Sequence, residues 1–434
     1  MAAKKKTSSD MSGSLQDLFY DEVSKDKDLV GVTNARTKKS FPLGIDILDY
    51  KMGKLIQMED GVDADDYYAL GCGEGNLITV VGDSGSGKST FAMQIACNIV
   101  DPYEPGQAWI EHFDEEEASS LERICMLHPS WSLKEAKAYY KLKESGMTVE
   151  KFYLYLQKIH DVKLSVFDKI AVTDDEYTDR NGTPIRYLPP TVVILDSLAV
   201  LQPNKIVEKN EMGTEMSTTG TARSFATLFR SIRRFLTKAN IILIVVNHLL
   251  DDVKINMYEK DKRQVNYLPQ GRTVYGGKTP VYLSNFVFVI EPGTKMKESE
   301  GFGFDGFINN ITLAKNRSNK AGQKVATVFS QELGFSNIHT NYMYLKNECK
   351  AISGAGIGFY LKDLPEVKFS QKKLVETYNK KKQFREAFDD AVFDAYEKFI
   401  YVGDDVEDEE EEFDEDAEAE MEEAAAKKKK KKKK

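Results

Sequence analysis

The chain has 434 residues, of which 41% are hydrophobic and 30% charged, and a formal net charge of −9. The hydrophobic share excludes wholesale disorder, and the length calls for a large core with appendages rather than one small domain. The charge sits at one end. Residues 403–423 hold fifteen carboxylates and no base, residues 427–434 are eight lysines, and the remainder balances 52 Lys and Arg against 54 Asp and Glu. Any nucleic-acid surface is therefore local. No apolar run is long enough to span a bilayer, and the basic start lacks an apolar segment, so neither a membrane helix nor a secretory signal is expected. Cys72, Cys97, Cys125 and Cys349 are scattered without a C-x-x-C pair. That spacing fits reduced thiols in a cytoplasmic protein and argues against a disulfide framework or a zinc site.

Residues 1–40 are polar, with Leu15, Leu18, Phe19 and Val23 spaced for one face of a short helix. They read either as a loosely ordered tail or as an arm that packs on a neighbouring subunit. Residues 55–75, with six acidic side chains, read as a loop. An apolar strand, Leu77-Ile78-Thr79-Val80-Val81, then runs into Gly82-Asp83-Ser84-Gly85-Ser86-Gly87-Lys88-Ser89, followed by a helical run from Thr90. This is the G-x-x-x-x-G-K-[ST] pattern in the strand–loop–helix setting it needs. The glycines let backbone N–H groups turn inward on an anion at a helix N-terminus. Lys88 suits the β- and γ-phosphates, and the Ser89 hydroxyl suits Mg²⁺. Gly82 to Thr90 are thus the candidate ATP-binding residues.

Trp109-Ile110-Glu111-His112-Phe113 reads as a second strand, and 118–172 as a helix-rich stretch. Asp179-Arg180-Asn181-Gly182 is a turn. Thr191-Val192-Val193-Ile194-Leu195 is a buried-type parallel strand ending in Asp196. Parallel strands carry ligand groups at their C-terminal ends, so Asp196 falls on the phosphate-loop edge, where it joins Ser89 as a candidate Mg²⁺ group. A helix N-cap aspartate is the competing reading. Ile241 to Val246 form another buried strand, ending in Asn247-His248, a polar pair suited to sensing a γ-phosphate. Taken alone, His248 is equally an ordinary loop histidine.

Two stretches read as ligand loops. Residues 209–220 are small and polar and run into a helix over 221–237 whose Arg223 and Arg230, seven apart, share one face. They suit a phosphate backbone, against the alternative of a solvated basic face. Residues 249–280 carry Arg272, Lys278 and four further cations, with tyrosines 258, 267 and 275 and Gly276-Gly277. Base, aromatic and glycine together compose a single-strand-binding loop. Phe286 to Ile290 and Ile311 to Lys315 read as further strands, and 369–400 as a helical segment with an apolar stripe that includes Phe384, Phe388, Phe393 and Tyr396. Strands alternating with helices give a mostly parallel α/β core.

With these landmarks in order, the chain resembles the RecA-family recombinases, and among them the phage-encoded members. Ordered motifs cover about 40–335, and 336–400 resemble the family more weakly. Gly44-Ile45-Asp46-Ile47-Leu48-Asp49 is similar to the segment preceding the family's phosphate loop. Phe113-Asp114-Glu115-Glu116 resembles its aromatic-Asp-x-Glu element, which implies Glu116 as the base orienting the attacking water, with Glu115 and Glu117 leaving the register open by one. Asn247-His248 is similar to the pair that reports the γ-phosphate to the second DNA loop, and Gly276-Gly277 to the end of that loop. Arg223 and Arg230 resemble the backbone-contacting positions after the first loop. Lys315-Asn316-Arg317 resembles the Lys-x-Lys/Arg pair that reaches ATP held by the neighbouring subunit. Two departures stand out. The second loop is longer than the family's, and Ser119, Ser120, Leu121 and Arg123 occupy the stretch where an adenine-stacking aromatic is expected.

The resemblance implies a RecA-like P-loop ATPase core over 41–335, an N-terminal arm over 1–40, a small helical C-terminal region over 336–402 and a disordered acidic then poly-Lys tail over 403–434. It implies a DNA-dependent ATPase using ATP and Mg²⁺. Such a protein exchanges strands in homologous recombination as a helical filament on single-stranded DNA, in the host cytoplasm if phage-encoded. Double-stranded DNA, single-strand-binding proteins and mediator proteins are its further expected partners, and no membrane is. The alternatives are a hexameric helicase and a non-motor regulatory ATPase of the same fold.

Overall fold

The longest apolar runs of the chain lie side by side at the centre of a ten-stranded sheet. The computed structural model describes residues 37–397 apart from 118, 144, 205–214, 252–266 and 300. Ten strands build the sheet: β1 (Leu77–Gly82), β2 (Trp109–Asp114), β3 (Tyr140–Lys143), β4 (Thr191–Asp196), β5 (Ile241–Asp251), β6 (Arg272–Val274), β7 (Phe286–Met296), β8 (Gly306–Asn316), β9 (Gln323–Ser330) and β10 (Gly334–Ser336). Their order is β3-β2-β4-β5-β1-β7-β8-β9-β10, with β6 paired to the far end of β5. The strands from β3 to β7 in that order are mutually parallel. The protein is thus mixed α/β with a large, mostly parallel central sheet.

Both faces of β1 and β4 are covered, which is why their sequences are continuous apolar runs rather than alternations. Every residue of both strands is buried. Along β4, Val192 and Ile194 point into one core, and Val193 and Leu195 into the other. Helix α2 (Lys88–Val100) packs Phe91, Ile95 and Ile99 into the first. Helices α3 (Val149–Ser165) and α4 (Glu215–Ala239) fill the second with Phe152, Phe225, Phe229 and Phe235. Burying one such side chain stabilises the fold by about 1.5–3 kcal/mol.

Several expectations need correction. The 118–172 stretch is helix-rich but also holds strand β3, which follows directly on the helix Leu133–Tyr139. Its four residues are too short for alternation to register, and Lys141 and Lys143 mark it as an edge. The 55–75 loop contains the short strands Tyr67–Ala69 and Cys72–Gly73. Beyond β8, which contains the expected strand Ile311 to Lys315, two strands not expected, β9 and β10, extend the sheet antiparallel. Helix α4 begins at Glu215, inside the expected first loop, whose residues 209–214 lie outside the described ones. The second loop is structured at both ends: Leu249, Leu250 and Asp251 pair with Val274, Thr273 and Arg272, and α5 (Thr279–Leu283) follows.

The C-terminal region is not simply helical. After α6 (Asn337–Asn347), a three-stranded antiparallel sheet (Ile352–Ser353, Phe359–Leu361, Leu364–Phe369) precedes α7 (Lys382–Tyr396). Two of these strands have only two or three residues and the third has six, too few to leave a periodic signature. On α7, Phe384, Phe388 and Tyr396 are buried, while Phe393 is exposed. This region shares the main core rather than forming its own. Asn337 and Asn341 both donate to Asp46 Oδ2, at 2.8 and 2.7 Å, and Tyr396 stacks on Tyr50. Both partners lie on α1 (Asp46–Met52). The same helix carries Asp49, whose buried carboxylate accepts from the backbone of Leu43 and Gly44 and closes the turn ahead of it. Burial pushes the Asp49 pKa up to about 8. The expected arm, apart from its last four residues, and the expected tail lie outside the described residues.

Candidate active site

The loop between β1 and α2 curls at the C-terminal edge of the parallel strands. Gly87 caps α2 with φ +92°, and a Cβ there would sit 3.0 Å from the Phe329 ring. Only glycine satisfies both constraints. Lys88 Nζ donates to the Asp83 carbonyl at 2.8 Å, holding the loop closed on itself. Burial lowers the Lys88 pKa, opposed by the carboxylates of Asp196, Glu116 and Asp83. Ser84, Gly85, Gly87, Lys88, Ser89 and Thr90 line a cleft of about 180 Å³. Of the remaining loop residues, Gly82 and Ser86 are buried and Asp83 is exposed. Asn309 on β8 donates to the Ser86 carbonyl at 3.0 Å, and Phe329 and Gln331 form the far wall. Nothing in the sequence singles these three out, because they lie on the antiparallel extension, more than 200 residues from the loop they support.

Across the cleft stand Asp196, Glu116 and His248. Asp196, at the end of β4, is hydrogen-bonded by Ser89. Burial pushes its pKa up to about 6, against the lowering effect of that bond. Its Oδ1 is buried without a hydrogen-bond partner among the described residues. An orphaned carboxylate oxygen beside a serine hydroxyl, at a lysine-lined anion site, fits a hydrated divalent cation. Glu116 Oε1 is 3.1 Å from His248 Nε2. Burial raises the Glu116 pKa, but the hydrogen bond with His248 and the charges of His248 and Lys88 outweigh it, and the group sits below the usual range. Of the three consecutive glutamates only Glu116 lines the cleft. Glu115 accepts from the backbone of Gly146 and Met147, and Glu117 from Ser145.

Asn247 and His248 are adjacent on β5, opposite the last residues of β1, but face different partners. Asn247, fully buried, donates to the Tyr275 carbonyl at 2.8 Å. Gly276 then approaches α4 so closely that a Cβ would lie 2.9 Å from Phe225. Gly277 follows, also at positive φ, and Lys278 is exposed at the head of α5. Arg272 does not lie on an open surface: its guanidinium binds Asp251 at 2.8 Å and Asp83 of the phosphate loop. Arg223 and Arg230 are exposed on α4, and Arg223 lines a groove against Val149, Glu150 and Tyr153 of α3.

Lys315 and Arg317 stand apart from all of these. Lys315 pairs with Val287, which pairs with Thr79, so it lies near the start of β1 while the phosphate loop follows its end. Three strand residues separate the two levels, about 10 Å. Lys315 Nζ donates to the Tyr282 carbonyl at 2.6 Å, and Arg317 Nη2 to the same oxygen at 3.4 Å. Burial and the neighbouring Arg317 and Arg233 charges lower the Lys315 pKa to about 8. Arg233, which the sequence reading did not single out, donates to the Leu283 carbonyl at 2.7 Å.

No helix among the described residues is long and apolar enough to cross a membrane. No protein-family model matches the chain, and no curated protein matches it.

Proposed function

We propose that the protein is a RecA-type recombinase, of the phage-encoded kind: a DNA-dependent ATPase that assembles as a filament on single-stranded DNA and exchanges strands. The observation that carries this reading is the Asn247-His248 pair on β5. His248 there bonds Glu116 inside the cleft, and its neighbour Asn247 holds the Tyr275 carbonyl just after β6. Two adjacent residues thus tie a nucleotide site to a basic, aromatic, glycine-ended segment of the composition that binds single strands.

In this mechanism the phosphate loop and Lys88 hold the triphosphate, with backbone N–H groups directed at its oxygens. Ser89 and Asp196 would hold Mg²⁺, which when bound neutralises phosphate charge and polarises the γ-phosphoryl group. Glu116, kept ionised, orients the attacking water and accepts its proton. His248 shares the Glu116 carboxylate, so a change at the γ-phosphate shifts the end of β5 and, through Asn247, the segment after it. Lys315 and Arg317 lie on the wrong edge of the sheet for their own nucleotide. They serve the nucleotide of the next copy, as charge delivered in trans. Arg223, Arg230 and Lys278 contact the DNA backbone.

The test is an ATPase assay with and without single-stranded DNA, paired with electron microscopy in ATP and DNA. Stimulated hydrolysis and open helical filaments are expected. Six-membered rings would instead make the protein a helicase, and hydrolysis indifferent to DNA would make it a regulatory ATPase.

A further inference from the structure

Three cations converge on the last turn of α5. Arg233 Nη1 donates to the Leu283 carbonyl at 2.7 Å, Lys315 Nζ to the carbonyls of Tyr282 at 2.6 Å and Val281 at 3.3 Å, and Arg317 Nη2 to Tyr282 at 3.4 Å. Cations at a helix C-terminus are ordinary, but the end of a helix presents only about half an elementary negative charge. Three full charges on a five-residue helix exceed that, and among the described residues no carboxylate forms an ion pair with any of them. Lys315 is buried and Arg233 half-buried, so water does not fully screen the excess. The cluster has the chemistry to take an anion.

Its position says where the anion comes from. Asn285, which accepts from Arg233 at 3.3 Å, also pairs with Leu77, the first residue of β1. The cluster therefore lies at the edge of the sheet opposite the phosphate loop, which follows the last residue of the same strand. The chain's own nucleotide is out of reach. Arg233 also belongs to α4, three residues after Arg230 and ten after Arg223, and α4 packs Phe225 against Gly276.

We infer that Arg233 is the third member of a cation triad that takes the terminal phosphates of a nucleoside triphosphate held by a second copy of this chain, and that it ties this contact to the DNA-facing helix. This rests on the reading above, in which Lys315 and Arg317 act in trans. Arg233 adds a donor from a different element. Lys315 and Arg317 ride on the sheet, whereas Arg233 rides on the helix whose exposed arginines meet DNA. A small displacement of α4 on DNA therefore moves Arg233 relative to the other two and changes the charge that the neighbouring phosphate meets. That makes Arg233 a positioning element for stimulation as well as a ligand group.

The experiment is complementation between inactive full-length chains. Arg233→Gln is expected to lower DNA-stimulated ATP hydrolysis at least about tenfold, less than the roughly 10³–10⁵ that a lone arginine supplied in trans contributes, because Lys315 and Arg317 remain in the triad. Lys88→Ala, which cannot hold its own triphosphate, is expected to be inactive. Mixed in equal amounts on single-stranded DNA, the two should recover about a quarter of the wild-type rate, because that fraction of random head-to-tail interfaces joins an intact phosphate loop to an intact triad. A purely structural or same-chain role for Arg233 is not rescued by a neighbour. An Arg233→Gln rate equal to wild type, or a mixture no faster than its parts, overturns the inference. Arg233→Met, which keeps the aliphatic stem, goes through the same mixing and stands in if the Gln chain does not fold. The underlying reading fails differently: a wild-type chain with no DNA-stimulated hydrolysis removes it before any variant is made.

Discussion

His248 Nε2 and Glu116 Oε1 meet at 3.1 Å across two strands, β5 and β2, that are not neighbours in the sheet. Strand β4 runs between them and ends in Asp196. The pair therefore bridges over the aspartate that fits the cation, and three groups from three strand ends close one wall of the cleft. Because the strands are parallel, all three ends fall on the phosphate-loop edge without any long loop to carry them.

Glu116→Gln keeps the size and the hydrogen-bonding capacity of the side chain while removing its charge. If Glu116 orients and deprotonates the attacking water, the hydrolysis rate falls by about 10²–10⁴. A fluorescent ATP analogue should still titrate the cleft, since the phosphate loop and Lys88 are untouched. A Gln variant that hydrolyses ATP at the wild-type rate assigns the base elsewhere.

Asp196 gives a pH-dependent signature in the nucleotide-free protein. Its native pKa of about 6 lies above the ordinary aspartate value. Between the ordinary value of about 3.9 and 6 the native state binds more protons than the unfolded chain, so stability falls as pH rises through that window and is level above it. Asp196→Asn removes the ionising group. Without nucleotide, the variant is expected to match wild type near pH 4 and to exceed it by roughly 2–3 kcal/mol at pH 7.5. Urea melts at the two pH values check this, and equal differences at both would contradict a buried, unpaired carboxylate.

Asn247→Ala separates binding from communication. It strips the donor from the Tyr275 carbonyl and costs about 1–3 kcal/mol for a buried group left unpaired. The readout is the ratio of hydrolysis with DNA to hydrolysis without it. That ratio is expected to drop by about 5- to 150-fold, the range of an ordinary coupling energy. A ratio that survives would mean the nucleotide signal reaches the 252–271 segment by another route, such as the Arg272–Asp83 contact.

Much of this site was legible in the sequence because its parts obey local rules. The phosphate loop is a contiguous pattern, and Asp196 and His248 each end an apolar run that only a doubly covered parallel strand explains. What stayed hidden is non-local. Asn309 and Phe329 support the phosphate loop from antiparallel strands whose pairing no short window encodes, and Arg233 joins Lys315 only because α5 lies between α4 and β8. Arg272 illustrates the opposite error. Its setting in a basic loop suggested an open surface, yet it closes on two carboxylates, Asp251 and Asp83, the latter 189 residues away. Strand β3 and the small C-terminal sheet were missed because two to six residues leave too little alternation to recognise.

Lys315 supplies a prediction in which the sign of the titration discriminates. Burial, with Arg317 and Arg233 alongside, lowers its pKa to about 8. It is a cation below that value and neutral above, whereas an ordinary lysine stays charged to about pH 10.4. If its charge meets a phosphate in trans, DNA-stimulated hydrolysis at low ATP falls as pH rises, with a midpoint near 8. At saturating ATP the phosphates themselves favour the ammonium, so the midpoint moves upward. Lys315→Arg keeps a charge that does not titrate in this range, and its profile should stay level through pH 9. Lys315→Ala should be slow at every pH while its isolated protomer still binds nucleotide. A wild-type profile already flat from pH 7 to 9, or a Lys315→Ala protomer that no longer binds ATP, would place Lys315 outside the trans contact.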